Sequence, residues 1–168
     1  MNAEEYQKLL ARLGACNEAR VEAQNKSLKA VWETCNRGDW MLWLLAKLVL
    51  DRKLLVELCC DCAEPALKYV PVDEYRPAEA IRIARLWVAD KATIEEVTAA
   101  ASAAEAASPS AAAWAASWEA SRAAASAAAW ATSWEATAAA RADSLLYSAN
   151  LIRAKVSYEM VLQLAIRK

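Results

Sequence analysis

Arg37-Gly38-Asp39-Trp40-Met41-Leu42-Trp43-Leu44-Leu45-Ala46-Lys47-Leu48-Val49-Leu50-Asp51 is the stretch from which the fold is read. Gly38 fits a left-handed helix stop, because glycine adopts positive φ without a Cβ penalty. Asp39 then reads as the cap of a strongly apolar helix from Trp40 to Leu50, and Asp51 as the cap of the next. Lys47 interrupts the run, which is also too short to cross a bilayer. An apolar helix of this kind is buried by other helices.

The neighbouring segments follow the same pattern. A helix is expected from Ala3 to Leu13, with Leu9, Leu10 and Leu13 on one stripe and a stop at Gly14. A short helix from about Cys16 to Gln24 follows, and Ser27 caps another carrying Leu28, Val31, Trp32 and Cys35 at helical spacing. After Asp51 a helix runs from Arg52 to about Tyr69, bent at Pro65. Val70 to Arg76 is the clearest loop, and Pro77 fits the first turn of a helix with Ile81, Ala84 and Val88. Thr93-x-x-Glu96 is a capping box opening a helix to about Ala107, and Ser108-Pro109 restarts one. Ser157 caps a last helix, Tyr158 to Ile166. Valines and isoleucines never alternate, so no strand is expected.

Between Ala99 and Ala140, 24 of 42 residues are alanine, and the tract repeats itself. Ser110-Ala-Ala-Ala-Trp114-Ala-Ala-Ser-Trp118-Glu119 recurs 16 residues later as Ser126-Ala-Ala-Ala-Trp130-Ala-Thr-Ser-Trp134-Glu135. Alanine favours helix, and tryptophans at i and i+4 share a face. Sixteen residues overshoot whole turns by about 160°, so on one straight helix the two pairs diverge. A bend near Ser121 to Ser126 would turn both toward a common core; an unbroken long helix is the alternative. The expectation is an all-α, single-domain bundle of seven to nine helices with a long Ala/Trp-rich helix or helical hairpin. Its parts are 1–92, an Ala/Trp-rich 93–143 and a basic 144–168.

The net charge is −1 over 168 residues, which gives no basic excess for nucleic acid. It is unevenly spread. Residues 93–143 carry six acids against Arg122 and Arg141, whereas 144–168 carry Arg153, Lys155, Arg167 and Lys168 against Glu159. This split favours docking of the C-terminal segment onto the rest of the chain. The acidic start Met1-Asn2-Ala3-Glu4-Glu5 lacks the pattern of a secretory signal, and five cysteines are an odd number. Both features point to reduced thiols and a cytoplasmic protein, with no membrane partner.

Catalytic chemistry finds little purchase. There is no histidine, which removes the commonest general base and every Ser-His or Cys-His pairing. Cys59-x-x-Cys62 supplies half of a zinc site without a second half, and on a helix these residues with Cys60 read as apolar filler. No metal ligand set, cofactor or catalytic residue is expected. Trp32, Trp40, Trp43 and Trp87 read as core.

Gly14-Ala15-Cys16-x-Glu18-Ala19, Ala30-x-Trp32-x-x-Cys35-x-Arg37-Gly38-Asp39-Trp40-Met41-Leu42-Trp43, Arg76-Pro77-x-x-Ala80-Ile81 and Ile152-Arg153 together resemble a family of all-helical immunity proteins of bacteria and bacteriophages. The segment Val21-Glu22-Ala23 departs from that pattern, which has a tryptophan there. The resemblance implies a non-enzymatic binder that neutralises a bacterial toxin or defence effector, with no functional residues to carry over. From the residues themselves, the expected partner-binding set is the loop Asp73, Glu74, Tyr75 and Arg76 with the pairs Trp114/Trp118 and Trp130/Trp134. Two alternatives stand beside this reading. One is a small-molecule sponge gripping a nucleotide signal with tryptophan faces and Arg122 or Arg141. The other is a structural protein that forms homo-oligomers through its alanine tract.

Overall fold

In the computed structural model, residues 1–70, 72–106 and 138–168 are described, and their regular structure is all helical, with no strand among them. Among these described residues nine α-helices run in order: α1 (Ala3–Leu13), α2 (Asn17–Glu22), α3 (Leu28–Thr34), α4 (Gly38–Lys47), α5 (Arg52–Ala63), α6 (Arg76–Val88), α7 (Ile94–Ala106), α8 (Ala138–Lys155) and α9 (Tyr158–Ile166). A 3₁₀ turn, Glu64–Tyr69, continues α5. Pro65, which cannot extend the α-helical hydrogen bonding, sits at its start. The expected bend at Pro65 is therefore a change of helix type. The hairpin or long helix expected around Ser121 to Ser126 lies outside the described residues.

The caps are where local sequence chemistry places them. Ser27 accepts from the Ala30 amide at 3.2 Å, Asp51 from Leu54 at 3.0 Å and Ser157 from Met160 at 3.3 Å. Thr93 and Glu96 bond reciprocally, as do Asn2 and Glu5 at the start of α1. Gly14 has φ +77° and closes α1. Each N-terminal cap satisfies amides that the first turn leaves without a carbonyl, and the Gly14 amide donates to the Ala11 carbonyl at the other end.

Gly38 does something else. It is the first residue of α4, with Arg37 at the cap position, so it neither stops a helix nor hands capping to Asp39. A Cβ built on Gly38 would lie 2.4 Å from Ser148 Cβ, 2.9 Å from the Ala149 amide nitrogen and 3.0 Å from the Leu145 carbonyl oxygen. Glycine is needed because α8 crosses α4 here at backbone contact. Asp39 instead takes the Arg37 guanidinium, at 2.9 Å to Nε and 2.6 Å to Nη2.

One apolar cluster unites these helices. Leu45, Val56, Leu58, Ile152, Val156 and Val161 are fully buried in it, with Leu9 and Leu10 from α1, Leu28 and Trp32 from α3, and Val97 from α7. Helix α2 adds only its C-cap, Ala23. Of the four tryptophans expected in the core, Trp32 is buried, Trp43 and Trp87 are half-buried against its edge, and Trp40 is half-buried apart from it. Trp40 carries the Arg37 guanidinium 4.1 Å above its ring, and Trp43 carries Lys47 at 5.8 Å.

Charge fixes the C-terminal segment to the rest. Lys155 pairs with Asp61 and lies 3.8 Å from Glu57, and Arg85 reaches the same Asp61 at 3.0 Å and Glu64 at 2.7 Å. The Asp61 side chain is only 15% exposed, so it joins α5, α6 and α8 at one point. Arg153 closes the C-terminal end of α3 by donating to the carbonyls of Trp32 (3.2 Å) and Cys35 (2.7 Å). No helix among the described residues is long and apolar enough to cross a membrane.

Candidate interaction surface

The expected loop lies beside an open groove. Glu74 accepts from the Arg76 backbone amide at 3.0 Å and from Arg76 Nε at 2.7 Å, and it also meets Nη2. This clamp buries most of the Glu74 side chain. It also lowers the Glu74 carboxyl below its ordinary range and raises the Arg76 guanidinium, the side-chain bond being the main cause in each. Two members of the expected set are thus committed to each other. Their pairing shapes the turn and leaves Val72, Asp73 and Tyr75 to solvent. Tyr75, at 72% exposed, is the most solvent-facing aromatic side chain among the described residues.

Tyr75 and Arg76 form one end of a groove of about 460 Å³ between α6 and α7. Its floor is Ile83 and Leu86 from α6 with Ala99, Ala100 and Ala103 from α7. The alanines keep side-chain bulk off this floor. Its rim is charged but largely satisfied internally: Glu79 and Arg82 pair through two contacts of 2.7 Å, and Glu96 accepts from the Thr93 amide. Lys91 stands at the far end. Sequence reasoning found the loop through its proline and charge, and missed the groove, which exists only once α6 packs on α7.

The remaining expected site residues divide simply. Trp114, Trp118, Trp130, Trp134 and Arg122 lie outside the described residues, and Arg141 enters only through the backbone of α8. A second hollow, of about 40 Å³, lies among Tyr6, Trp32, Cys35, Trp40 and Trp43. It has room for a water or two. It sits where Arg37 to Trp43 meets Arg153, whose Nη1 also lies 3.8 Å from Met41 Sδ. Two stretches far apart in sequence thus form one structural unit.

The thiols are poised for packing. Cys59, Cys60 and Cys62 are buried, and burial pushes all three up, Cys60 to about 12 and Cys62 to about 11 despite a hydrogen bond from Ser148. A thiol held this far above neutrality is neither nucleophile nor ready metal ligand. Among the described residues, no group of three or more His, Cys, Asp or Glu side chains is arranged to hold a metal ion. Comparison of the chain with family models, curated proteins and solved structures gave no match.

Proposed function

We propose that this chain is a non-enzymatic binding protein of the immunity type, neutralising a bacterial toxin or anti-phage defence effector by stoichiometric contact. The observation that carries the proposal is Tyr75, held out to solvent by the Glu74–Arg76 clamp at the mouth of the α6–α7 groove. An exposed aromatic beside an apolar floor and a self-satisfied charged rim is an arrangement protein interfaces use. The chemistry elsewhere agrees: no histidine is present, and the clustered thiols are protonated and packed.

The test is co-expression with individual toxins and defence effectors in a growth assay, followed by light scattering of the purified mixture. The proposal expects restored growth and a complex of fixed molar ratio, with Tyr75→Ala weakening affinity at least tenfold. Rescue without a complex would overturn it.

A further inference from the structure

Among the described residues, three non-glycine residues adopt positive φ: Asn25, Asp90 and Val49. Asparagine and aspartate tolerate that region; a β-branched valine does not. Val49, at φ +60°, follows α4, and its turn is closed by Val49 N to Ala46 O (3.2 Å) and Leu50 N to Leu45 O (3.0 Å). This is the helix ending in which glycine is the usual residue. The strain gains no burial, because the Val49 side chain is 66% exposed. Backbone strain of this kind concentrates at functional sites, and no burial among the described residues offsets it here.

Its surroundings bear on which function that is. Lys53 bonds Asp90 at 2.5 Å, which places the turn after α6 beside the start of α5 and so beside Val49. Lys47, Asp51, Arg52 and Lys53 lie within four residues of Val49 in the sequence, and the Lys53–Asp90 bond brings in Lys91, the residue after Asp90. Both acids are engaged, Asp51 capping α5 and Asp90 holding Lys53. Arg52 and Lys91 are exposed, and neither forms an ion pair with another described residue. Lys91 also lines the α6–α7 groove.

We propose that Val49 is the anchor of a convex, cation-ringed tip that seats in an apolar pocket bordered by carboxylates on the protein partner. This rests on the reading of the chain as a protein binder and names the chemistry of the partner's surface. The tip supplies the apolar plug, and Arg52 and Lys91 supply the charge that selects an acidic rim.

The experiment uses the full chain and two synthetic helical peptides, each with a leucine stripe, one flanked by glutamates and one by lysines. Backbone amide shifts report where each binds, and fluorescence anisotropy reports how tightly. The glutamate peptide should perturb Val49, Arg52 and Lys91, bind at least tenfold more weakly to Val49→Gly, and lose most of its affinity to Arg52→Glu. The lysine peptide should not bind there. Val49→Gly should also raise the unfolding midpoint, so weaker binding could not be attributed to misfolding. Perturbations centred elsewhere, or equal binding by Val49→Gly, would overturn the assignment. With an effector that the chain does neutralise, a complex whose affinity stays within twofold on Val49→Gly and Arg52→Glu would sink the tip and leave the binder reading intact. Peptide binding at the tip without any neutralised effector would sustain the tip and sink that reading.

Discussion

Replacing Gly38 by alanine sets two effects of opposite sign against each other. Alanine is the better helix former by up to about 1 kcal/mol, and less at a first helical position. Against this, the new Cβ would sit 2.4 Å from Ser148 Cβ, where ordinary contact begins near 3.4 Å. Helices α4 and α8 would have to part by about 1 Å, the difference of those distances. Rotamer changes give no relief, because the other two obstacles are backbone atoms, Ala149 N and Leu145 O. Overpacking of this kind costs about 1–3 kcal/mol, and opening a close-packed seam forfeits further dispersion. The net expectation is a loss of about 2 kcal/mol, or about 4–8 °C in Tm for a chain of this length. Urea unfolding followed by tryptophan fluorescence measures it. Ser148→Gly removes only the first contact, so the double variant should recover part of the loss, with a coupling of about 0.5–1 kcal/mol. If Gly38→Ala is neutral, or no coupling with Ser148→Gly appears, the crossing is not the reason for the glycine.

Three further outcomes are expected. Val49→Gly should stabilise the chain by about 1 kcal/mol through relief of left-handed strain, read as a higher urea midpoint; a lower midpoint would contradict the strain. Arg153→Met should cost about 2 kcal/mol, because the half-buried carbonyls of Trp32 and Cys35 lose charged donors. Arg153→Lys, with a point charge in place of the fork, should recover only part, and full recovery would show that charge alone suffices. Stability should also fall in alkali. The native thiols of Cys60 and Cys62 hold their protons to about 12 and 11, whereas an unperturbed thiol titrates near 9. Above pH 9 the unfolded chain therefore releases protons that the native one retains, and their contribution disappears between pH 9 and about 12. Urea midpoints at pH 8 and 10.5 should differ in the native sequence and differ less in Cys60→Ala; equal slopes would refute the assignment.

Local chemistry was legible in the sequence because caps and breakers act within four residues. Ser27, Asp51, Thr93 with Glu96, and Ser157 were read from spacing alone, and Pro65 was read as a bend in a helix that in fact changes type there. The helical class followed from them. Gly38 was misread because the requirement for glycine comes from Ser148 and Ala149 on α8, a partner no local rule can name. Trp40 and Trp43 looked like core for the same reason: which face of an apolar helix meets solvent is settled by its neighbours. The loop at Asp73 to Arg76 was legible, but not that Glu74 and Arg76 neutralise each other. The Val49 turn had one faint signal. Leu45 and Leu50, both buried, are the apolar pair that accompanies this helix ending, but the glycine that would mark it is missing.

The most direct test of function by occupancy is a titration of effector activity with increasing amounts of this chain. The account predicts inhibition that rises linearly and saturates at a fixed molar ratio, unchanged by longer incubation. Complete inactivation by a small fraction of an equivalent, progressing with time, would mean turnover and contradict it.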